Sequence, residues 1–557
     1  MKLIRLKIAD SFRSLKNDFE LNFREPVINE SLLDFHPFCF AGLNGSGKSN
    51  VLEALSNIFY HLECIVNDYP VFAYDPKESN PDSFELEYFI TSESLNSDLE
   101  SLNHISIKKE KGQAPLMSIN GNGFLTISKS FGSSFIPDLI VAYSSGENET
   151  LSLPYIKMKL FQYDQYLEDL RDRVEFKKPK SSLLYIDYEM SQAVLLTILM
   201  FFDFEKDGKS GVLSTLEEEI KISGIQQFTI NINNHWQKIV PRAEENNLIE
   251  VETILKIEND EDTENRKVYL GRVLDNLDSL INKLKECATC SYTKDNYLSL
   301  DFFVDKNTIS LIRKKFENDP YTFFSLFQTL HSLNERVEEN VYKEEVYNSK
   351  GYYTDYKRPE YVQFFYFTNY HIKQLDEKKT RNLLLRQLSD GEQQFLHTLG
   401  ICLMLQNKRT LLLLDEPETH FNPEWRSKFI NILRKTLHAG NDNFLLKDII
   451  LTSHSPFIIS DCFPDKVIVF EKGKQPQNAQ EKDIDTFGTS VNILTNKIFK
   501  RKNTIGEYSL EKLNNYRKRF LETDDLEGLI DELNLELGDS IEKVLLIKEM
   551  TDLINKR

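Results

Sequence analysis

Residues Ala41–Asn50 read AGLNGSGKSN, in which Gly42, Gly47, Lys48 and Ser49 complete the P-loop pattern G-x-x-x-x-G-K-[ST] and Gly45 adds a further glycine. Ahead of it, Phe38-Cys39-Phe40 ends an apolar run suited to a buried strand. Behind it, Val51, Leu52, Ala54, Leu55, Ile58 and Phe59 recur at helical spacing. Strand, glycine loop and helix is the context in which this motif holds phosphate. The glycines let the backbone curl with its N–H groups pointing inward. The helix N-terminus adds partial positive charge. Lys48 is placed to reach the β- and γ-phosphates and the Ser49 hydroxyl to ligate Mg²⁺, with Asn44, Ser46 and Asn50 completing the cradle.

The complement of this half-site stands far along the chain. Leu388–Gln394, LSDGEQQ, opens the apolar helix FLHTLGICLML. Leu411–Pro423, LLLLDEPETHFNP, makes a buried strand of four leucines that ends in Asp415-Glu416. Another strand, through Ile449-Ile450-Leu451, runs into Thr452-Ser453-His454-Ser455-Pro456.

In these residues the chain resembles the ABC-type ATPase heads of the SMC, Rad50 and RecF group, including AAA_21-like ATPases. LSDGEQQ is similar to their LSGGQ-type signature, with Asp390 where the second small residue usually stands. LLLLDEPETHFNP is similar to their Walker B and D-loop, and TSHSPF to their histidine switch. The resemblance covers roughly 1–150 and 380–475. It implies an α/β fold, a mixed sheet flanked by helices, and ATP with Mg²⁺ as cofactors. It assigns Asp415 to Mg²⁺ with Ser49, and Glu416 to the attacking water as general base. It assigns His454 to the γ-phosphate. Ser389 and the Gly391 backbone, opening a helix, would face the ATP of a second copy in a homodimer with composite sites, or in a higher oligomer. His420 would lie in the D-loop at that interface, a capping or packing histidine being the alternative.

Composition bounds the rest. The chain has 557 residues, and length alone suggests about three or four structural units. Net charge is -19, which excludes a generally basic nucleic-acid binder. Local basic clusters remain, at Lys177, Lys178 and Lys180; Arg313, Lys314 and Lys315; Lys378, Lys379 and Arg381; and Lys497, Lys500, Arg501 and Lys502. Solvated faces are the ordinary reading of such runs. The opening MKLIRLKIADSF is patterned as a strand, so no signal peptide is expected. The longest apolar run, Ala193 to Phe202, is too short to span a membrane and suits a buried helix. No membrane partner is expected, and six cysteines without a secretion signal read as reduced thiols in the cytoplasm.

Taken in order, 1–154 reads as the first part of the head, beginning with a hairpin-like pair of strands and later carrying strands at Ser83–Ile90, His104–Glu110 and in Pro137–Glu149. The last of these runs into a loop with Ser144, Ser145, Glu147 and Glu149. Residues 155–380 read as a mainly helical insertion with acidic loops such as 258–266, interrupted by a strand at Phe228–Asn233. Cys287 and Cys290 form a C-x-x-C that is half of a zinc site or simply a pair of helix-end thiols. Residues 381–475 complete the head, and 476–557 read as a helical C-terminal region. No nuclease pattern stands out, Thr523-Asp524-Asp525 sitting in a polar turn, so no nuclease activity of the chain's own is expected. The combination of head, YSSGENE loop, insertion and tail is similar to the ATPase subunit of Septu anti-phage defence systems, including the retron-associated kind. That resemblance implies a separate HNH nuclease subunit as partner, and in the retron version a reverse transcriptase with its DNA-RNA hybrid. A RecF- or Rad50-like repair ATPase and a nucleotide-gated scaffold with little turnover are the alternatives.

Overall fold

The structure, a computed structural model, describes residues 1–28, 32, 34–67, 74–91, 102–145, 151–161, 181–186, 188–206, 209–210, 213–233, 280–294, 297–332, 334, 346–347, 349, 365–376, 379–404, 409–438, 446–501, 503–523 and 525–555. Glu147, Glu149, the stretch 258–266, Lys177, Lys178, Lys180, Lys378, Lys502 and Asp524 lie outside the described residues.

The chain starts with β1 (Lys2–Ile8) and β2 (Phe19–Asn22), an antiparallel pair as the alternation predicts. Next, β3 (Phe38–Gly42), buried along its whole length, feeds α1 (Lys48–Asn67). Then β4 (Phe84–Thr91), β5 (Leu102–Lys109), β6 (Leu116–Ile119) and β7 (Leu125–Thr126) extend the opening pair into an antiparallel sheet of order β2-β1-β4-β5-β6-β7. Its alternating residues pack one face onto α1; on the other, Ile4, Phe89 and Leu102 are buried against Leu32 and Leu446, while Arg5 pairs with Glu85 and Glu87. The chain returns to the centre as β8 (Leu139–Ser144), and residues 151–161 are helical.

The stretch read as an insertion contains β9 (Leu183–Tyr185), α2 (Tyr188–Phe201), α3 (Ser214–Ile220), β10 (Ile222–Asn233), β11 (Cys290–Lys294), β12 (Tyr297–Phe303), α4 (Lys306–Lys315), α5 (Pro320–Ser332), β13 (Phe365–Asp376) and β14 (Lys379–Leu384). The described helices of this stretch are accompanied by a sheet. Five of the strands form an antiparallel sheet of order β11-β12-β10-β13-β14. Phe228, Ile230 and Ile232 alternate along β10 beside Leu298, Leu300 and Phe302 of β12, all buried. Such a face is recognised only once the partner strand is known, which a single strand's pattern does not supply. The stretch is not a detached unit. β9 joins the P-loop sheet beside β8, and one buried cluster runs from Val141 and Leu412 to Ile230 and Phe324.

The second half of the head follows: α6 (Asp390–Met404), β15 (Thr410–Asp415), α7 (Pro423–His438), β16 (Lys447–Ser453), α8 (Pro456–Ser460), β17 (Val467–Phe470) and β18 (Gln477–Asn478). The central sheet has the order β18-β17-β3-β16-β15-β8-β9, parallel except for edge strand β18. A parallel sheet buries both faces, which is why its strands read as unbroken apolar runs. In β15, Leu411 and Leu413 pack in the cluster that holds α1, and Leu412 and Leu414 in the one that holds α6. The architecture is α/β, a sheet flanked by helices as the resemblance implies, with the C-terminal ends of β3, β15 and β16 side by side.

Beyond the sheet come α9 (Val491–Phe499) and the helices α10 (Glu507–Glu522), α11 (Leu526–Glu536) and α12 (Ile541–Ile554), which share a small core of their own. Asp525 caps α11 by accepting from the Gly528 N–H at 2.9 Å, a structural use for the polar turn at Thr523. Cys287 is buried at the end of the helical residues 280–287, whereas Cys290 is exposed on β11. Burial pushes the Cys287 thiol up to about 11, away from the thiolate that zinc requires. Among the described residues no group of three or more His, Cys, Asp or Glu side chains could hold a metal ion. No helix among them is long and apolar enough to cross a membrane.

Candidate active site

The P-loop leaves β3 at Gly42, whose φ is 151°, where a Cβ would stand 2.3 Å from the Phe470 carbonyl oxygen of neighbouring β17. Glycine is therefore needed for the turn to begin so close to the sheet. Asn44 and Gly45 form the exposed tip, and Ser46, Gly47 and Lys48 are buried beneath it. Lys48 Nζ donates to the carbonyls of Gly42 at 3.1 Å and Leu43 at 3.2 Å. Burial lowers its pKa, and Glu416 and Asp415 act against that shift. The Ser46 hydroxyl is buried without a hydrogen-bond partner. An orphaned donor in a ring of backbone N–H groups at a helix N-terminus fits a phosphate. Asn50 accepts a 2.6 Å bond from the Ser14 hydroxyl, which fastens the turn between β1 and β2 over the loop.

The acidic strand end lies against this cradle. Ser49 Oγ donates to Asp415 Oδ1 at 2.7 Å, so hydroxyl and carboxylate, from segments 366 residues apart, could share one divalent ion. Thr452 Oγ1 donates to the same oxygen at 2.8 Å and accepts from the Glu416 N–H at 3.0 Å. Thr452 thus orients both acidic residues. Glu416 itself sits at φ 48°, a left-handed conformation that costs a non-glycine residue about 1–3 kcal/mol and persists where neighbours over-determine it. Those neighbours are Thr452, and Thr419, whose N–H and hydroxyl reach the Glu416 carbonyl at 3.2 and 2.9 Å.

His454 joins the two halves. Its Nε2 lies 2.9 Å from Lys48 Nζ and 3.1 Å from Glu416 Oε1. One nitrogen cannot serve both at once: it accepts from Lys48 with the ring proton on Nδ1, or donates to Glu416 with the proton on Nε2. The hydrogen bond from His454 is the leading cause holding the Glu416 carboxyl below its ordinary range, with Lys48 adding to it. Glu416 is therefore ionised at neutral pH and able to accept a proton.

The signature residues stand elsewhere on the surface. Ser389 is exposed and caps α6: its N–H donates to Glu392 Oε2 at 2.8 Å, and its Oγ accepts from the Glu392 N–H at 3.3 Å. That reciprocal pair is a capping box. Gly391 lies under the loop after β15, where a Cβ would be 2.7 Å from the His420 carbonyl oxygen. The His420 N–H donates to Gln394 Oε1 at 3.1 Å, and its side chain is exposed. The structure thus brings Gly42 to Asn50, Asp415, Glu416 and His454 together. Ser389, Gly391 and His420 form a second group, hydrogen-bonded within α6 and the loop after β15 rather than to the P-loop.

Sequence reasoning passed over Ser14, Thr452, Ser453 and Glu418. Thr452 and Ser453 lie in the quoted TSHSP stretch, where polar residues closing a buried strand were the available signal. Glu418 is buried, and its Oε1 accepts a very short bond from Ser453 Oγ while Oε2 has no partner. Burial pushes its carboxyl up to about 7, the Ser453 bond acting the other way.

Residues 297–460 match the family model described as "AAA domain, putative AbiEii toxin, Type IV TA system", which takes in α6, β15 and β16 but not the P-loop. Protein ea59 of Escherichia phage lambda is 28% identical over 115 residues, 21% of this chain. The match likewise spans 21% of the phage protein. Among solved structures, an SMC head bound to the C-winged helix domain of ScpA aligns over 86% of this chain and 98% of its own, at 9% identity and TM-score 0.31. ATP-bound RecF, the recombination mediator protein, aligns over 81% and 93%, at 14% identity and TM-score 0.27. The SMC head domain from Thermotoga maritima aligns over 86% and 99%, at 10% identity and TM-score 0.28. Superpositions this loose transfer no function.

Proposed function

We propose that this chain binds and hydrolyses ATP, and that it controls, through nucleotide-dependent pairing of two copies, a nuclease carried on a separate chain of an anti-phage defence complex. The observation that carries the ATPase reading is the convergence of Lys48, Ser49, Asp415, Glu416 and His454 from three adjacent strand ends. Lys48 and the P-loop N–H groups bind and neutralise the phosphates. Ser49 and Asp415 would hold Mg²⁺, which would supply charge neutralisation to the phosphates. Glu416 takes a proton from the water that adds to the γ-phosphorus as ADP leaves. His454, beside both Lys48 and Glu416, marks whether a γ-phosphate is present.

The pairing reading draws support from α6. Its capped N-terminus is exposed, and helix N-terminal N–H groups favour an anion brought by another molecule. Ser389, Gly391 and His420 would supply that second half of a composite site. The defence reading is supported by the resemblance to Septu ATPase subunits. The matching model's description as a type IV toxin–antitoxin protein and the phage relative sit with it. In this reading the partner is an HNH-type nuclease, and a retron would add its reverse transcriptase and DNA-RNA product. An ATP-dependent dimer has two states, and a nuclease that binds one of them better is switched as nucleotide occupancy changes.

The test starts from Lys48→Ala, which removes a charge without opening a core cavity. It should fold as wild type and lose measurable binding of labelled ATP. Unchanged affinity would end the ATPase reading. The wild-type chain should leave DNA and RNA uncut alone, and should co-purify with the product of a neighbouring HNH gene as a metal-dependent nuclease that Lys48→Ala alters. Robust cleavage by this chain alone would overturn the division of labour.

A further inference from the structure

We propose that Glu418 is a positioning residue for hydrolysis: through Ser453 it clasps the loop after β15 to the turn that carries His454, and so sets Glu416 and His454 at their working separation. The inference rests on the ATPase reading. It begins from a buried carboxyl that nucleotide chemistry does not otherwise use. Glu418 is 4% exposed, in the turn that follows β15, three residues beyond Asp415. Ser453, fully buried, ends β16, the neighbouring strand. Its hydroxyl donates to Glu418 Oε1 and accepts from the Ser455 N–H at 2.9 Å. The two bonds of Ser453 therefore straddle His454, fixing the backbone on both sides of it to Glu418.

The other end of the clasp holds the general base. Glu416 is left-handed at φ 48°, a conformation its own side chain does not favour. The loop that follows it is tied down at several points. Arg426 donates to the carbonyls of Glu418 at 3.3 Å and Thr419 at 3.1 Å, and Ser145 Oγ donates to Thr419 Oγ1 at 2.9 Å. Of the side chains in this loop, Glu418 is the one whose carboxyl reaches β16. Without it, the ties left between the strained base and the histidine's turn are Thr452, which holds the Glu416 N–H from β16, and the 3.1 Å Glu416–His454 approach itself. Phosphate binding does not depend on the clasp, because Lys48 and Ser46 lie in the P-loop and Ser49 at the start of α1.

Glutamine is the informative replacement. It keeps the Oε1 acceptor for Ser453 and fills the same volume. It also places an N–H₂ where a protonated carboxyl would carry its hydrogen, and burial raises the Glu418 pKa to about 7. Glu418→Ala removes the clasp. The readouts are ATP affinity, turnover, and the ring NMR signals of the ten histidines, with His454 assigned by His454→Gln. We expect Glu418→Ala to lower kcat about 10- to 100-fold, as small misplacements of catalytic groups do, with the Kd for ATP within about twofold. It should shift or broaden the His454 signals while those of buried His61 and His397 stay put. Glu418→Gln should restore both turnover and spectrum. Should Glu418→Ala fail to fold, Ser453→Ala, which deletes one hydroxyl, carries the same expectations. Wild-type kcat and unmoved His454 signals in the alanine variant would overturn the proposal. So would a glutamine variant as impaired as alanine, or His61 and His397 moving together with His454. If wild-type protein fails to turn over ATP, the functional reading falls, and the His454 spectrum still decides whether the clasp exists.

Discussion

The P-loop sheet and the C-terminal unit of α10–α12 handle charge in opposite ways. Around the sheet, Asp415, Thr452 and Ser453 at strand ends, Glu418 in the turn beyond β15 and Lys48 at the start of α1 are buried, each with a partner from another segment. In the helical unit the ion pairs Lys512–Glu536 and Arg519–Glu532 join side chains that are 39–51% exposed, where water screens them and they add little. The apolar residues differ as well. Leu411 to Leu414 are buried on both faces of β15, whereas Leu535 is 91% and Leu521 79% exposed on the helices. The same side-chain types thus do different things. Desolvation between two covered faces makes a carboxylate and an ammonium act on each other, and on a ligand, far more strongly than they would in water.

The strongest way to break the comparison is to exchange an acid for its amide in each region. Glu416→Gln should slow hydrolysis roughly 10²–10⁴-fold, the range for loss of a general base. ATP should still bind, through Lys48, Ser49 and Asp415, so the variant should accumulate ATP-bound assemblies visible by sizing or scattering. Glu532→Gln on α11 should leave turnover within experimental error of wild type. Equal turnover in both variants would remove Glu416 from its role.

A second exchange compares the cores. Leu413 and Leu533 are both fully buried, one in the central strand and the other in the cluster of α10–α12. Truncating either to alanine should cost about 2–5 kcal/mol. Leu413→Ala sits two residues from Asp415 in a strand shared by both clusters, so it should lower the main unfolding transition and weaken ATP binding together. Leu533→Ala should weaken only the helical unit, leaving ATP affinity unchanged in the full chain. Loss of ATP binding in Leu533→Ala would mean that the two regions are one cooperative unit.

Legibility in the sequence divides along the same line. Gly42 to Asn50, Asp415, Glu416 and His454 were readable because each motif lies where a buried parallel strand meets a turn. Apolar runs such as LLLL and IIL mark such strands without any knowledge of their neighbours. Strand order could not be read this way, and neither could the sheet of β10 to β14, whose register is set by pairing across segments as far apart as Ile230 and Phe367. FTININ was recognisable as a strand, but nothing in it shows that Leu300 lies beside Ile230. Glu418 stands in DEPETH with nothing in the sequence to single it out, because its importance lies in its burial and in Ser453 on a strand that arrives later in the chain. Ser389 was recognisable as a helix start, while the contact of Gly391 with the His420 carbonyl exists only in three dimensions.

The smallest expected effect sharpens the contrast through pH. Burial raises the Glu418 carboxyl from an ordinary 4.5 to about 7, against the bond from Ser453, with nearby Glu416 raising it and Arg426 lowering it. Lys48 is a further charged neighbour. Below pH 4.5 Glu418 is protonated whether the chain is folded or not. As pH rises towards 7 the unfolded chain releases this proton while the folded chain retains it, so the folded state loses relative stability across that window, and the loss levels off above it. Fully expressed, the effect is about 3 to 4 kcal/mol. Glu532 and Glu536, whose carboxyls are lowered by Arg519 and Lys512, have the opposite sign: their contribution is present above the ordinary carboxylate range and fades as pH falls. Both are well exposed to screening water and should add little slope of either sign. Thermal unfolding of wild type and Glu418→Gln, followed between pH 4.5 and 8, should therefore diverge, the glutamine variant gaining on wild type as pH rises. Glu532→Gln should track wild type throughout. Parallel curves for Glu418→Gln and wild type would mean that Glu418 is ionised in the folded protein. The burial that distinguishes the sheet's charges from those of the helices would then not extend to this carboxyl.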